Sequence, residues 1–86
     1  MSLSARNRKT LRVLFERPTR ANIRWSDIER LFSAAGAEVS EGAGSRVRIK
    51  LGDRVLTFHR PHPGNEARRY AVEVASSFLR NHGITP

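Results

Sequence analysis

From Arg46 to His59 apolar and polar residues take turns along the chain. Val47, Ile49 and Leu51 alternate with Arg46, Arg48 and Lys50, and beyond Gly52-Asp53 the residues Leu56 and Phe58 alternate with Thr57 and His59. A period of two predicts strands with one buried face, and a two-residue glycine-led break between such runs predicts a hairpin turn. The turn sets the register. With 51 opposite 54, counting outward places Ile49 opposite Leu56, Val47 opposite Phe58 and Arg46 opposite His59. Arg46, Arg48, Lys50, Thr57 and His59 then share the outward face.

The rest of the pattern is helical. Over Ser4–Glu16 the residues Leu11, Leu14 and Phe15 form a narrow stripe among Arg6, Arg8, Lys9 and Arg12, and Pro18 stops that helix. After a connector, Ser26-Asp27-Ile28-Glu29 reads as a capping box, with Ile28, Leu31, Phe32 and Ala35 as the buried stripe and Gly36 as the exit. Trp25 is expected in the core or as a staple, in preference to a base-stacking platform. Ala37–Glu41 is a short edge strand and Gly42-Ala43-Gly44-Ser45 a turn, without the Lys and helix start of a phosphate-binding loop. Pro61-His62-Pro63-Gly64 ends the sheet. Asn65 then caps a helix over Glu66–His82, where Ala67, Tyr70, Ala71, Val74, Ala75, Phe78 and Leu79 keep helical spacing up to Gly83. The expected fold is α+β, a three-stranded antiparallel sheet packed on helices in the order α-β-β-β-α with an extra N-terminal helix.

Charge changes the picture from fold to partner. Sixteen Lys and Arg against eight Asp and Glu give +8 in 86 residues, which predicts attraction to a polyanion, nucleic acid first. A membrane partner is disfavoured: no apolar run approaches a spanning length and no basic helix carries a large exposed aromatic face. The first ten residues have no apolar signal-peptide core, and the chain has no cysteine; both fit the cytoplasm. DNA recognition is less expected, because the last helix spends its apolar stripe on the core. The acidic residues are scattered over caps, turns and helix surfaces, so no metal or other cofactor is invoked.

Four short pieces, in this order and spacing, carry a family resemblance: LFSAAGAEV, then Gly44-Ser45 opening a strand, then Pro61-His62-Pro63, then the closing NHGI. From Ile23 to Ile84 the chain resembles toxins of the HicA family, small ribonucleases of bacterial toxin–antitoxin systems with a fold similar to the double-stranded RNA-binding domain. The resemblance divides the chain into a basic N-terminal extension and connector, 1–22, and a HicA-like RNA-binding or ribonuclease domain, 23–86. It implies an mRNA substrate and an acidic, HicB-like antitoxin as partners. The family usually has Gly-Ser-His, with that His catalytic, whereas Arg46 follows Gly44-Ser45 here. Only Gly44, Ser45 and Pro61-His62 carry over.

The hairpin register supplies a replacement. His59 lies across from Arg46, so an imidazole stands on the neighbouring strand close to where the family's histidine would sit. The expected activity is metal-independent RNA cleavage in which His59 accepts the proton of a ribose 2′-OH, Arg46 and Arg48 stabilise the phosphorane, and His62 is acid or substrate clamp. Ser45, Arg48, Lys50 and Arg60 are expected to contact RNA. The alternative is a non-catalytic RNA-binding domain that kept the fold without the family's histidine. His82 is expected to be a helix-end residue.

Overall fold

The computed structural model describes residues 2–86. Three helices and three strands follow one another as α1 (Ala5–Leu14), α2 (Trp25–Ala34), β1 (Glu38–Glu41), β2 (Arg46–Leu51), β3 (Arg54–His59) and α3 (Arg69–Asn81). The strands form an antiparallel meander in the order β1-β2-β3, so β1 and β3 are both edges. This is the α+β architecture expected from the alternation and the helical stripes.

The hairpin register is as counted: Leu51 pairs with Arg54, Ile49 with Leu56, Val47 with Phe58 and Arg46 with His59. Gly52, at φ +63°, leads the turn, the position where a type II′ hairpin turn favours glycine. Val47, Ile49 and Phe58 face inward and join Ile28, Leu31, Phe32, Val72, Ala75 and Leu79 in one core. Phe58 is its hinge point between layers, with Trp25 edge-on at 5.0 Å between ring centroids and Phe32 at 6.3 Å. Helices cover this side of the sheet, and among the described residues nothing covers the other.

The first helix contributes to the same core. Leu11 and Leu14 are buried, and α1 packs against both α2 and α3. Ser4 caps it by accepting from the Asn7 N–H at 3.1 Å. The helix stops at Leu14, short of Pro18, and Arg17 closes its end by donating to the Leu14 carbonyl at 3.2 Å. The same guanidinium reaches the buried Ser76 Oγ of α3 at 2.9 Å, which fastens the connector to the last helix.

Helix exits follow the sequence more closely than helix entries. Gly36 and Gly83 have φ of +97° and +74°. At each, the two bonds of a Schellman motif form: Ala37 N–H to Phe32 O and Gly36 N–H to Ser33 O, then Ile84 N–H to Leu79 O and Gly83 N–H to Arg80 O. The entries depart from expectation. Helix α2 begins at Trp25 with Arg24 as N-cap and no side-chain cap; Ser26 and Glu29 do not form the capping box, because the Glu29 carboxylate is drawn to Trp25 and Arg60. Helix α3 begins at Arg69, not at Glu66, and Asn65 is not its cap. Residues 65–67 instead bridge 23–25 in extended form, with Trp25 N–H to Asn65 O at 2.8 Å and Ala67 N–H to Ile23 O at 2.7 Å.

The phase of α3 also differs. Ala71, Val72, Ala75, Ser76 and Leu79 are its buried residues, while Tyr70 and Val74, expected in the stripe, are 55% and 39% exposed. The helix is rotated toward α1 and the connector, whose Arg17 engages Ser76, and its other apolar edge is left outside with Leu56 nearby. Among the described residues no helix is long and apolar enough to cross a membrane.

Candidate RNA-facing site

The open face of the sheet has three cross-strand rows. The register gives Glu38–Lys50–Val55, Ser40–Arg48–Thr57, and, at the end nearest the 61–68 loop, Arg46–His59. Gly42 extends that last row, since its N–H donates to the Arg46 carbonyl at 2.9 Å. Arg46, Arg48, Lys50, Thr57 and His59 are all exposed, so the face is cationic in its middle strand and carries an imidazole at one corner.

Hydrogen bonding decides how close that corner pair sits. The Arg60 N–H donates to the Ser45 carbonyl at 2.9 Å, which makes 45 and 60 a hydrogen-bonded pair. Bonded and non-bonded pairs alternate in an antiparallel ladder, and side chains of the non-bonded pairs lie closer. Arg46 and His59 are therefore a non-hydrogen-bonded pair, Cα atoms about 4.5 Å apart in the usual geometry. Gly42 shapes the other flank of Arg46. A side chain there would bring its Cβ to 3.2 Å from that of Arg46, so glycine leaves the cation room on the side away from His59.

His62 stands exposed in the loop that follows β3. That loop is held at both ends. At its far end Asn65 bonds Trp25 through the backbone. At its near end stands Arg60, whose side chain faces away from the open sheet. Its parity is that of Phe58, and its guanidinium lies on the helix side: Nε and Nη2 donate to the two Glu29 oxygens at 2.8 and 3.1 Å, and Nη1 to Glu41 at 2.7 Å. Trp25 Nε1 also donates to Glu29. The Arg60 hydrogen bond and charge hold the exposed Glu41 carboxyl below the ordinary carboxylate value. The two carboxylates, Glu29 first, in turn raise the Arg60 guanidinium further above its already high value.

Glu29 and Glu41 were not legible as site residues. The usable signal was parity: residue 60 follows Phe58 by two, and so points to the helices, where a carboxylate is required. Ser45 sits exposed in the turn before β2. His82 is apart from all of these at the end of α3, its Nδ1 2.8 Å from the Phe78 carbonyl oxygen and its ring against Phe78. No three His, Cys, Asp or Glu gather in one place among the described residues.

A helix-backed three-stranded meander with an exposed cationic face defines a small basic α+β domain. A family model described as the HicA toxin of bacterial toxin–antitoxin systems matches residues 25–84, well over half of the chain. The chain belongs to this HicA toxin family, and α1 lies ahead of the matched region. Comparison with curated proteins and with solved structures returned no match.

Proposed function

We propose that this toxin is a metal-independent endoribonuclease that cuts mRNA on the open face of its sheet and is restrained by an acidic antitoxin. The observation that supports it most is the Arg46–His59 pair: a base and a cation side by side, exposed, on the open face that also carries Arg48 and Lys50. His59 takes the 2′-OH proton, the 2′ oxygen attacks the adjacent phosphorus, and Arg46 with Arg48 stabilises the charge that builds on the phosphorane. The P–O5′ bond then breaks, with His62 as proton donor to the leaving oxygen or as a clamp on the strand. The products are a 2′,3′-cyclic phosphate and a 5′-hydroxyl. Lys50 and the other exposed cations contact phosphate, for which charge and exposure suffice, and Ser45 contacts the RNA through its hydroxyl. Arg60 serves the site from behind.

One observation favours a second reading. Arg46 stands where the family resemblance implies a catalytic histidine, and a domain with only that change would bind RNA without cutting it. Incubating the full chain with single-stranded RNA in EDTA, beside His59→Ala, His62→Ala and Arg46→Ala, separates the two. Cleavage by the wild type that His59→Ala abolishes is expected. Binding without any cleavage selects the second reading.

A further inference from the structure

His59 is the last residue of an edge strand, where ladders fray, and past Arg60 the chain leaves the sheet as the loop Pro61-His62-Pro63. The backbone bond from Arg60 to Ser45 is thus the end of the β2–β3 ladder. What secures this end is on the covered side. Arg60 grips Glu29 through two parallel bonds, binding β3 to α2, and reaches Glu41, binding β3 to β1. Glu41 precedes Gly42, Ser45 precedes Arg46 and Arg60 follows His59, so Arg60 and the two positions it joins are the immediate neighbours of the Gly42–Arg46–His59 row. Trp25 completes the frame: its indole holds Glu29, and its backbone N–H holds Asn65. Both ends of the segment that carries His62 therefore converge on one residue.

We infer that Arg60 is a positioning residue, which fixes the Arg46–His59 pair and the His62 loop from the reverse face of the sheet through Glu29 and Glu41. Its guanidinium is suited to this and an ammonium is not, because only the planar fork bonds both Glu29 oxygens while a third donor reaches Glu41. For its catalytic consequence the inference rests on the ribonuclease reading; for its structural content it does not.

The chain has three histidines, which makes the test direct. Imidazole carbon–proton correlations of the full chain are assigned with His59→Ala, His62→Ala and His82→Ala, then recorded for Arg60→Lys and Glu41→Gln. The Glu41 carboxylate is exposed, so that variant folds even if Arg60→Lys does not. The expected result is displaced His59 and His62 signals with His82 unmoved. For RNA cleavage, kcat should fall by about tenfold or more with KM little changed, since misplacement of about 1 Å in a site costs up to 10²-fold. Unmoved His59 and His62 signals, or equal displacement of all three, would overturn the inference. If the wild type cuts no RNA, the ribonuclease reading fails and the spectra alone decide whether Arg60 sets the row.

Discussion

Replacing Val72 and Val74 by alanine, one at a time, separates the observed phase of α3 from the one its sequence pattern suggests. Val72 is fully buried, at 0%, and Val74 is 39% exposed. Two methyl groups withdrawn from a closed site forfeit about 1.6 kcal/mol of transfer free energy, and the space left behind raises this to about 2.5. Alanine's better helix propensity returns about 0.5 at either position. The net loss is about 2 kcal/mol for Val72→Ala. At Val74, with part of the side chain already in water, it is about 0.5 kcal/mol. For 86 residues the unfolding entropy is about 0.18 kcal/mol/K, so Tm falls by about 11 °C in the first variant and about 3 °C in the second. Scanning calorimetry of the full chain reads both. Equal losses, or a larger loss at Val74, would refute the packing described for α3 and with it the core that backs the sheet.

Two further outcomes follow from the charges. Because Arg60 depresses the folded-state value of the Glu41 carboxyl below its ordinary 4.5, the stabilisation is complete above the unfolded value and disappears as pH falls through the folded one. Thermal melts of wild type and Glu41→Gln should differ at neutral pH and converge in acid below about pH 4.5; a gap unchanged down to full protonation would show that the pair contributes nothing through charge. On the open face, Arg48→Gln should flatten the plot of log affinity for single-stranded RNA against log salt by about 0.7, the counterion release of one phosphate contact. A slope equal to that of the wild type would place the RNA elsewhere.

How far the sequence revealed this molecule depended on whether the signal was local. The hairpin register needed only a period of two and a Gly-Asp turn, and every pair from Leu51–Arg54 to Arg46–His59 came out as counted. Helix exits at Gly36 and Gly83 were equally local, since positive φ and the Schellman bonds are set within a few residues. Helix entries were not. Glu29 has the spacing of a capping box, yet Arg60, distant in sequence, and the Trp25 indole compete for the same carboxylate and win it. Asn65 has the chemistry of an N-cap, but its carbonyl is taken by Trp25 and the chain stays extended to Arg68. Along α3 the apolar positions make a band wider than one contact face, and which edge is buried is decided by α1 and the connector, so Tyr70 and Val74 remain outside. The site divides the same way. Arg46, Arg48, Lys50 and His59 share a face by alternation alone, whereas the ion pairs that frame the row join residues from three separate elements.

On the proposed mechanism His59, standing beside Arg46, is the base of a cleavage reaction. Its most direct measurement is the single-turnover rate of cleavage of one RNA by wild type and by His59→Ala, in EDTA, at protein concentrations that saturate binding of both. The wild type should leave 2′,3′-cyclic phosphate ends, and the variant should cut at a rate lower by about 10² to 10⁴, with RNA affinity kept. Equal rates in the two proteins would contradict the mechanism.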